Sequence, residues 1–134
     1  MRDLIQEFLA EPVVAVVGAS EQRHKFGHQV FTALLRHGRR AIPVNPNAAA
    51  VLGHPTVGDL RSLGEPVRAV SIITPPAVTE QVVEDAIAAG ARILWMQPGA
   101  ESPAAIRRAQ DAGLEVIAGG PCVLVELASS RASG

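Results

Sequence analysis

One junction occurs three times in this chain: a helical pattern ends at glycine, and an apolar strand follows within about three residues. These junctions are Gly38 before 41–44, Gly90 before 93–96 and Gly113 before 116–118. Glycine adopts most easily the left-handed conformation just past a helix end. Repetition of this junction is typical of βαβ units, whose right-handed crossovers place helices on both faces of a parallel sheet. The sequence therefore predicts a Rossmann-like α/β fold with three layers.

The first strand, 13–17, consists only of valine and alanine and stops at Gly18-Ala19-Ser20. Such a run favours a strand that is buried on both faces. Glycine allows a tight turn and a close approach of a ligand to the main chain. The hydroxyl of Ser20, beside free backbone N–H groups, can meet a phosphate at the start of the next helix. The turn is thus predicted to bind a nucleotide.

The rest of the chain completes one domain over residues 1–134. A further strand is expected at 69–73, a turn at 52–55 and a short edge strand at 56–57. Ser102 is expected as the N-cap of a helix that has Pro103 in its first turn. Residues 1–10 are expected to form a short helix packed on the edge of the domain, and 131–134 a loose tail.

Composition excludes several classes of function. The chain of 134 residues has a formal net charge of −1, three phenylalanines, one tryptophan (Trp95) and no tyrosine. Without a basic run or a set of aromatic residues, nucleic-acid binding is not expected. The one cysteine, Cys122, excludes an internal disulfide, and the four histidines are scattered, so no metal site is expected. Without a signal peptide or membrane-spanning segment, we expect a cytoplasmic protein.

The residues at the carboxyl ends of the predicted strands form the candidate site, because open α/β sheets bind ligands there. These ends read Gly18-Ala19-Ser20, Asn45-Pro46-Asn47, Thr74-Pro75-Pro76, Gln97-Pro98-Gly99 and Gly119-Gly120-Pro121-Cys122. They carry amides, prolines and small residues but no carboxylate. Such a rim can hold a nucleotide and offers little acid–base chemistry, so no catalytic residue is assigned.

A nicotinamide dinucleotide is the first ligand to consider, and two features argue against it. The dinucleotide fingerprint requires glycines at its first, third and sixth positions, whereas the next glycine after Gly18 is Gly27. The second strand also lacks the acidic residue that binds the ribose hydroxyls and ends in Asn45-Pro46 instead. A P-loop is excluded, because no Gly-Lys-Ser/Thr sequence follows a strand.

The order of these motifs, with Lys25-Phe26-Gly27 after the first turn and Trp95 before Gln97, resembles the single-domain CoA-binding proteins. It is also similar to the N-terminal CoA-binding domain of the succinyl-CoA synthetase α subunit. The resemblance covers roughly residues 11–127 and implies that the ligand is coenzyme A or an acyl-CoA. The sequence Gly120-Pro121-Cys122 departs from the Asn-Cys-Pro of the synthetase, and the ligase machinery lies outside this domain.

The resemblance implies a role for each motif. Gly18, Ala19 and Ser20 would bind the pyrophosphate, Lys25 would add charge, and Gly27, after Phe26, would open the next helix. Asn45 and Pro46 would border the adenosine, opposite Thr74, Pro75 and Pro76, with Gln97 and Gly99 towards the pantetheine arm. The candidates for the 3′-phosphate are Arg23, Arg39 and Arg40. Cys122 is either a buried structural residue or a group that meets the thiol of CoA.

We therefore expect a CoA-binding protein with a carrier or regulatory role, which can act through a protein partner or as a homo-oligomer. Two alternatives make the chain part of an enzyme. One is an NAD(P)-binding oxidoreductase, and the other is the CoA-binding piece of a split acyl-CoA ligase.

Overall fold

Within residues 3–133, which the computed structural model describes, five parallel strands form one open sheet and two short strands form a hairpin. The strands are β1 (Val13–Val17), β2 (Arg40–Val44), β3 (Ala50–Val51), β4 (His54–Pro55), β5 (Ala69–Ile72), β6 (Ile93–Met96) and β7 (Glu115–Ile117). The helices are α1 (Leu4–Leu9), α2 (Phe26–Arg36), α3 (Pro76–Ala89), α4 (Pro103–Asp111) and α5 (Val123–Ser133). The sheet has the order β2-β1-β5-β6-β7.

Alternation along β1 explains why helices cover both faces of the sheet. Val14 and Val16 belong to a core shared with α1, α2 and α5, which includes Phe31. Ala15 and Val17 belong to the opposite core, shared with α3 and α4. A central strand that is buried on both faces is apolar at every position. The Rossmann-like α/β prediction is confirmed.

The predicted helix ends are confirmed at the junctions that define the fold. Gly90 ends α3 in the left-handed conformation, with φ of +83°. Ser102 caps α4, because its side chain accepts a hydrogen bond from the N–H of Ala105 at 3.2 Å. These ends fix where each chain segment re-enters the sheet.

The predicted N-terminal helix is present, whereas the C-terminus differs from the sequence-based expectation. At the N-terminus the helix spans Leu4–Leu9, and Met1 and Arg2 lie outside the described residues. At the other end α5, which was not predicted, continues to Ser133 through the segment expected as a loose tail. Gly134 lies outside the described residues. No helix in the described part of the chain is long and apolar enough to cross a membrane.

The loop between β2 and β5 folds back on the edge of the sheet. Strands β3 and β4 pair antiparallel around a turn at Leu52 and Gly53, which have φ of +49° and +78°. Val57 then forms a single parallel bridge with Val44. Pro43 lies in the edge strand β2, where proline is tolerated, and its carbonyl accepts the N–H of Val57 at 3.1 Å. The predicted turn at 52–55 is therefore limited to Leu52 and Gly53, because His54 and Pro55 pair as β4. Of the predicted edge strand at 56–57, Val57 forms the bridge to the sheet.

Candidate functional site

A cavity of about 730 Å³ opens at the carboxyl ends of β1, β2 and β5. β1 and β5 are neighbours in the sheet, and the helices that follow them, α2 and α3, pack on opposite faces. This divergence creates the crevice in which open α/β sheets bind their ligands. The predicted site residues that line it are Gly18, Ser20, Lys25, Phe26, Gly27, Asn45, Pro46, Thr74 and Pro75.

The turn after β1 needs glycine for two separate reasons. Gly18 has φ of +97°, and a β-carbon at this position would lie 2.3 Å from the carbonyl oxygen of Ile73. Its N–H donates to the carbonyl of Val44 at 3.0 Å, which ties the turn to β2. A side chain at position 18 would therefore force the floor of the cavity apart.

The start of α2 is pressed against the same turn. A β-carbon on Gly27 would lie 1.9 Å from the carbonyl oxygen of Gly18. Lys25 is the N-cap of α2 but makes no side-chain capping hydrogen bond. The N–H groups of the first helical turn have no partner within the helix and carry the positive end of its dipole. This end of the cavity is thus suited to an anion.

Ser20 is held in place by its neighbours and keeps a proton to donate. Its hydroxyl oxygen accepts the N–H of Gln22 at 3.0 Å, so the O–H itself remains available. The carbonyl of Ser20 contacts Nδ1 of His28 at 2.8 Å, a distance at which the ring N–H donates to it. His28 was not among the predicted site residues, and its contribution here is to fix the turn after β1.

Asn45 joins the ends of β1 and β2. Its Nδ2 donates to the carbonyl of Ala19 at 2.8 Å, and its Oδ1 accepts the N–H of Asn47 at 2.7 Å. Both ends of the amide are therefore used to hold the two turns together. Ala19 itself is fully buried and lies behind the cavity wall rather than in it.

The opposite wall is formed by Thr74 and Pro75, where β5 gives way to α3. The hydroxyl of Thr74 lies 2.8 Å from that of Thr79, which is fully buried in α3. Pro75 is the N-cap of this helix and Pro76 its first residue. Pro76 does not line the cavity, so its place in the structure is that of a helix start.

Three charged side chains line the cavity among the described residues: Lys25, Asp59 and Asp85. Asp85 accepts hydrogen bonds from Nε of Arg61 at 2.8 Å and from Nε2 of Gln81 at 3.2 Å. Sequence reasoning missed both aspartates. Asp85 lies on α3 and reaches the cavity because of how that helix packs. Asp59 reaches the cavity because the loop before it folds back onto β2.

Comparison with known proteins identifies the family to which this chain belongs. A sequence model of the CoA binding domain matches residues 12–128, most of the chain. The chain belongs to the CoA binding domain family. The uncharacterized protein YneT of Bacillus subtilis (strain 168) is 29% identical over 104 residues, which are 78% of this chain and 77% of YneT.

Solved structures agree with that assignment. A hypothetical protein from Pyrococcus horikoshii OT3 has 31% identity and a TM-score of 0.89, and the match covers 97% of this chain and 90% of that one. The dinucleotide forming acetyl-coenzyme A synthetase 1 of Ca. Korarchaeum cryptofilum, in complex with phosphate and ADP, has 27% identity and a TM-score of 0.76. That match covers 88% of this chain but only 27% of the synthetase.

Gln97 lies inside this CoA binding domain rather than on its rim. It is fully buried, its Nε2 donates to Oγ of Ser71 at 3.2 Å, and its Oε1 accepts the N–H of Val123 at 3.0 Å. The amide therefore links β5, β6 and the start of α5. The expected contact of Gln97 with the pantetheine arm is not supported by this placement.

The remaining predicted contacts also lie outside the cavity lining, namely Arg23, Gly99 and Cys122. Arg23 is exposed on the loop before α2, and the N–H of Gly99 donates to Oε1 of Glu101 at 2.7 Å. Cys122 is partly buried just before α5. Beside it, the carbonyl of Pro121 accepts a hydrogen bond from Nε1 of the buried Trp95 at 3.0 Å.

Arg39 and Arg40 are at the wrong end of β2 to meet a ligand in this cavity. Arg40 begins the strand and Val44 lies four positions further along it, a length of about 13 Å. Arg40 instead forms a two-pronged ion pair with Glu65, whose hydrogen bonds lower the pKa of that carboxyl. These two candidates for the 3′-phosphate therefore lie outside the cavity lining.

A second exposed ion pair joins α3 to α4. Nε of Arg108 donates to Oε2 of Glu84 at 2.8 Å, and this hydrogen bond lowers the pKa of Glu84. Within residues 3–133 no group of histidine, cysteine, aspartate and glutamate side chains is arranged to hold a metal ion.

Proposed function

We propose that this chain binds coenzyme A or an acyl-CoA in the cavity at the ends of β1, β2 and β5. One observation carries the proposal. In a chain of the CoA binding domain family, the Gly18 turn, the start of α2 and the Asn45 rim line one cavity of about 730 Å³. That volume lies within the range of small-molecule sites.

We assign the pyrophosphate to the start of α2. Ser20, Lys25, Phe26 and Gly27 all line the cavity there and offer a hydroxyl, an ammonium and backbone N–H groups. Backbone N–H groups at a helix N-terminus and a nearby cation are the standard partners of phosphate oxygens. Gly18 and Gly27 contribute by letting the main chain come this close to the ligand.

The adenosine is placed between the two proline-bearing walls. Asn45 and Pro46 lie on one side of the cavity, with Thr74, Pro75 and Val78 on the other. Proline and valine side chains can cover the faces of a purine, and Val78, which is 48% exposed, offers such a surface. Covering that surface with a ligand removes apolar area from water.

The role we propose is recognition, as a carrier or regulatory protein in the cytoplasm that acts alone, with a protein partner or as a homo-oligomer. The Asn45 amide and the Asp85 carboxylate support it, since both side chains already make hydrogen bonds within the protein. Groups engaged in this way hold a ligand in place but are poorly suited to move protons.

Calorimetry with CoA, acetyl-CoA, NAD and ATP tests the proposal. We expect binding of CoA and acetyl-CoA to be tighter than that of NAD, since the sequence lacks the glycine spacing of the dinucleotide fingerprint. Tight NAD binding without a response to CoA would falsify the proposal and favour the oxidoreductase alternative.

A second candidate function is the CoA-binding piece of a split acyl-CoA ligase. The observation that favours it is the match to the acetyl-coenzyme A synthetase 1, of which this chain spans 27%. A ligase would require a separate subunit with the phosphoryl-transfer machinery. Copurification of such a subunit with the tagged chain would support the ligase, and a chain that purifies alone would favour the carrier or regulatory role.

A further inference from the structure

The loop after β2 returns to that strand and brings an acidic side chain to the cavity. The N–H of Asn45 donates to the carbonyl of Val57 at 2.9 Å, next to the bridge between Val57 and Val44. Asp59 follows two residues later and lines the cavity together with Asn45 and Pro46. The fold thus places a carboxylate beside the wall to which the adenosine was assigned.

This carboxylate is oriented by one of its two oxygens. Oδ1 of Asp59 accepts the N–H of Ser62 at 3.0 Å and the Ser62 hydroxyl at 3.1 Å. Oδ2 makes no hydrogen bond with any residue in the described part of the chain, and Asp59 is exposed. The side chain is therefore fixed in position with one acceptor oxygen available to a ligand.

The charges near this wall do not favour a phosphate group. Asp85 also lines the cavity, and its charge is balanced by the ion pair with Arg61. The cation that lines the cavity among the described residues is Lys25, which lies at the start of α2 with the pyrophosphate. Asp59 therefore carries a negative charge without an ion-pair partner among residues 3–133, next to the wall assigned to the adenosine.

We infer that Asp59 selects an adenosine ribose that carries no phosphate, so that the site binds 3′-dephospho-CoA more tightly than CoA. In dinucleotide-binding folds an acidic residue near the second strand accepts hydrogen bonds from ribose hydroxyls, and a cation accommodates a ribose phosphate. Here the acid comes from position 59 rather than from the strand end itself. The inference rests on the proposed function, because it takes the adenosine to lie at Asn45 and Pro46.

The direction of the preference follows from charge. The 3′-hydroxyl of 3′-dephospho-CoA can donate to Oδ2 of Asp59, whereas the 3′-phosphate dianion of CoA, whose ribose keeps only the 2′-hydroxyl as a donor, would be repelled by it. At an exposed carboxylate in high dielectric this difference corresponds to about tenfold in affinity, and added salt should reduce it.

Calorimetry on the full chain with CoA and 3′-dephospho-CoA, which differ only in the 3′-phosphate, tests the inference. We expect the wild type to bind 3′-dephospho-CoA about tenfold more tightly than CoA. Asp59→Asn keeps an oxygen for the Ser62 cap but removes the charge, so the two affinities should become nearly equal. Asp111→Asn makes the same charge change at an exposed position on α4 and should keep the preference.

The possible results separate the two proposals. Equal affinities in the wild type, or a preference for CoA, would overturn the selection by Asp59 and leave CoA binding intact. A preference that survives in Asp59→Asn would also overturn it, because the carboxylate would then not be its source. Failure of both ligands to bind would overturn the proposed function itself.

Discussion

The backbone of Gly27 packs directly on the carbonyl of Gly18, so closely that a β-carbon on Gly27 would lie 1.9 Å from that oxygen. The contact joins the first residues of α2 to the turn after β1. It sets the distance between the Gly18 turn and the start of α2, both of which line the cavity. The geometry of the proposed phosphate site therefore depends on two glycines that are nine positions apart.

Substitution of Gly27 by alanine should destabilise the protein by about 3 kcal/mol, because either the turn or the helix must move to admit the methyl group. Urea denaturation measures the loss. Gly64→Ala is the matched control, since a β-carbon there meets no atom within 4 Å. Similar midpoints for the two variants would contradict the close contact between Gly27 and Gly18.

Asn45→Asp should cost about 1–3 kcal/mol of stability, because the new carboxylate cannot donate to the carbonyl of Ala19. It would instead place one oxygen against another. Thermal unfolding at neutral pH measures the change. Asn47→Asp adds the same charge to the same loop, but only the backbone N–H of Asn47 bonds to Asn45, so little loss is expected.

Lys25→Ala should weaken CoA binding by about 1–3 kcal/mol, the range for a hydrogen bond to a charged group. Stability should change by less than about 0.5 kcal/mol, because the side chain is exposed and does not cap α2. Calorimetry and thermal unfolding measure the two effects. Arg23→Ala, on the same loop but outside the cavity lining, should keep its affinity; equal losses in both variants would argue against a specific contact by Lys25.

Gln97→Met tests whether the side-chain amide of Gln97 stabilises the fold or contacts the ligand. Loss of the bonds to Ser71 and to the N–H of Val123 should lower stability by about 2 kcal/mol, with CoA affinity unchanged. Gln110→Met, at an exposed position on α4, is the control for the substitution itself. Weaker CoA binding with unchanged stability would restore the pantetheine role expected from the sequence.

The ion pair between α3 and α4 predicts a contribution to stability that is lost in acid. Because the Arg108 hydrogen bond lowers the pKa of Glu84 in the folded protein, the pair stabilises the fold above the unfolded-state pKa of the carboxyl. That stabilisation disappears as pH falls through the lowered folded-state pKa. Stability should therefore decline on acidification, and less so without the arginine.

Carboxyl carbon NMR titration checks this assignment. Arg108→Gln should raise the titration midpoint of Glu84. The midpoint of Glu65 should stay where it is, because its pKa is lowered by Arg40, which the substitution leaves in place. An unchanged midpoint for Glu84 would show that the hydrogen bond to Arg108 does not hold its charge.

The elements that the sequence predicts well are those in which local chemistry and tertiary packing agree. A helix that ends at Gly90 and a strand made only of apolar residues need no knowledge of the rest of the chain. The α5 helix begins after Cys122, which is not one of the usual N-cap residues, and its apolar residues do not share one buried face, since Val125 is exposed while Leu127 is buried. Its position depends on the bond from Val123 to the distant Gln97.

The residues of the candidate site also differ in whether the sequence could place them. Gly18, Lys25 and Asn45 follow strand ends and could be placed from sequence, because the ends of parallel strands share one edge. Asp59 could not, because it reaches that edge only through the pairing of Val57 with Val44. Gln97 is the opposite case: it ends a strand at the correct edge, but its neighbours on either side bury it and use both ends of its amide.

The placement of Trp95 gives the protein an optical probe of its own. Trp95 is the one tryptophan of the chain and is fully buried. Its ring packs edge-on against Phe8 of α1, with ring centroids 5.1 Å apart. Its Nε1 donates a hydrogen bond to the carbonyl of Pro121, just before α5. Indole fluorescence shifts to longer wavelength when water reaches the ring. Emission from this residue therefore reports the detachment of the two terminal helices without any label.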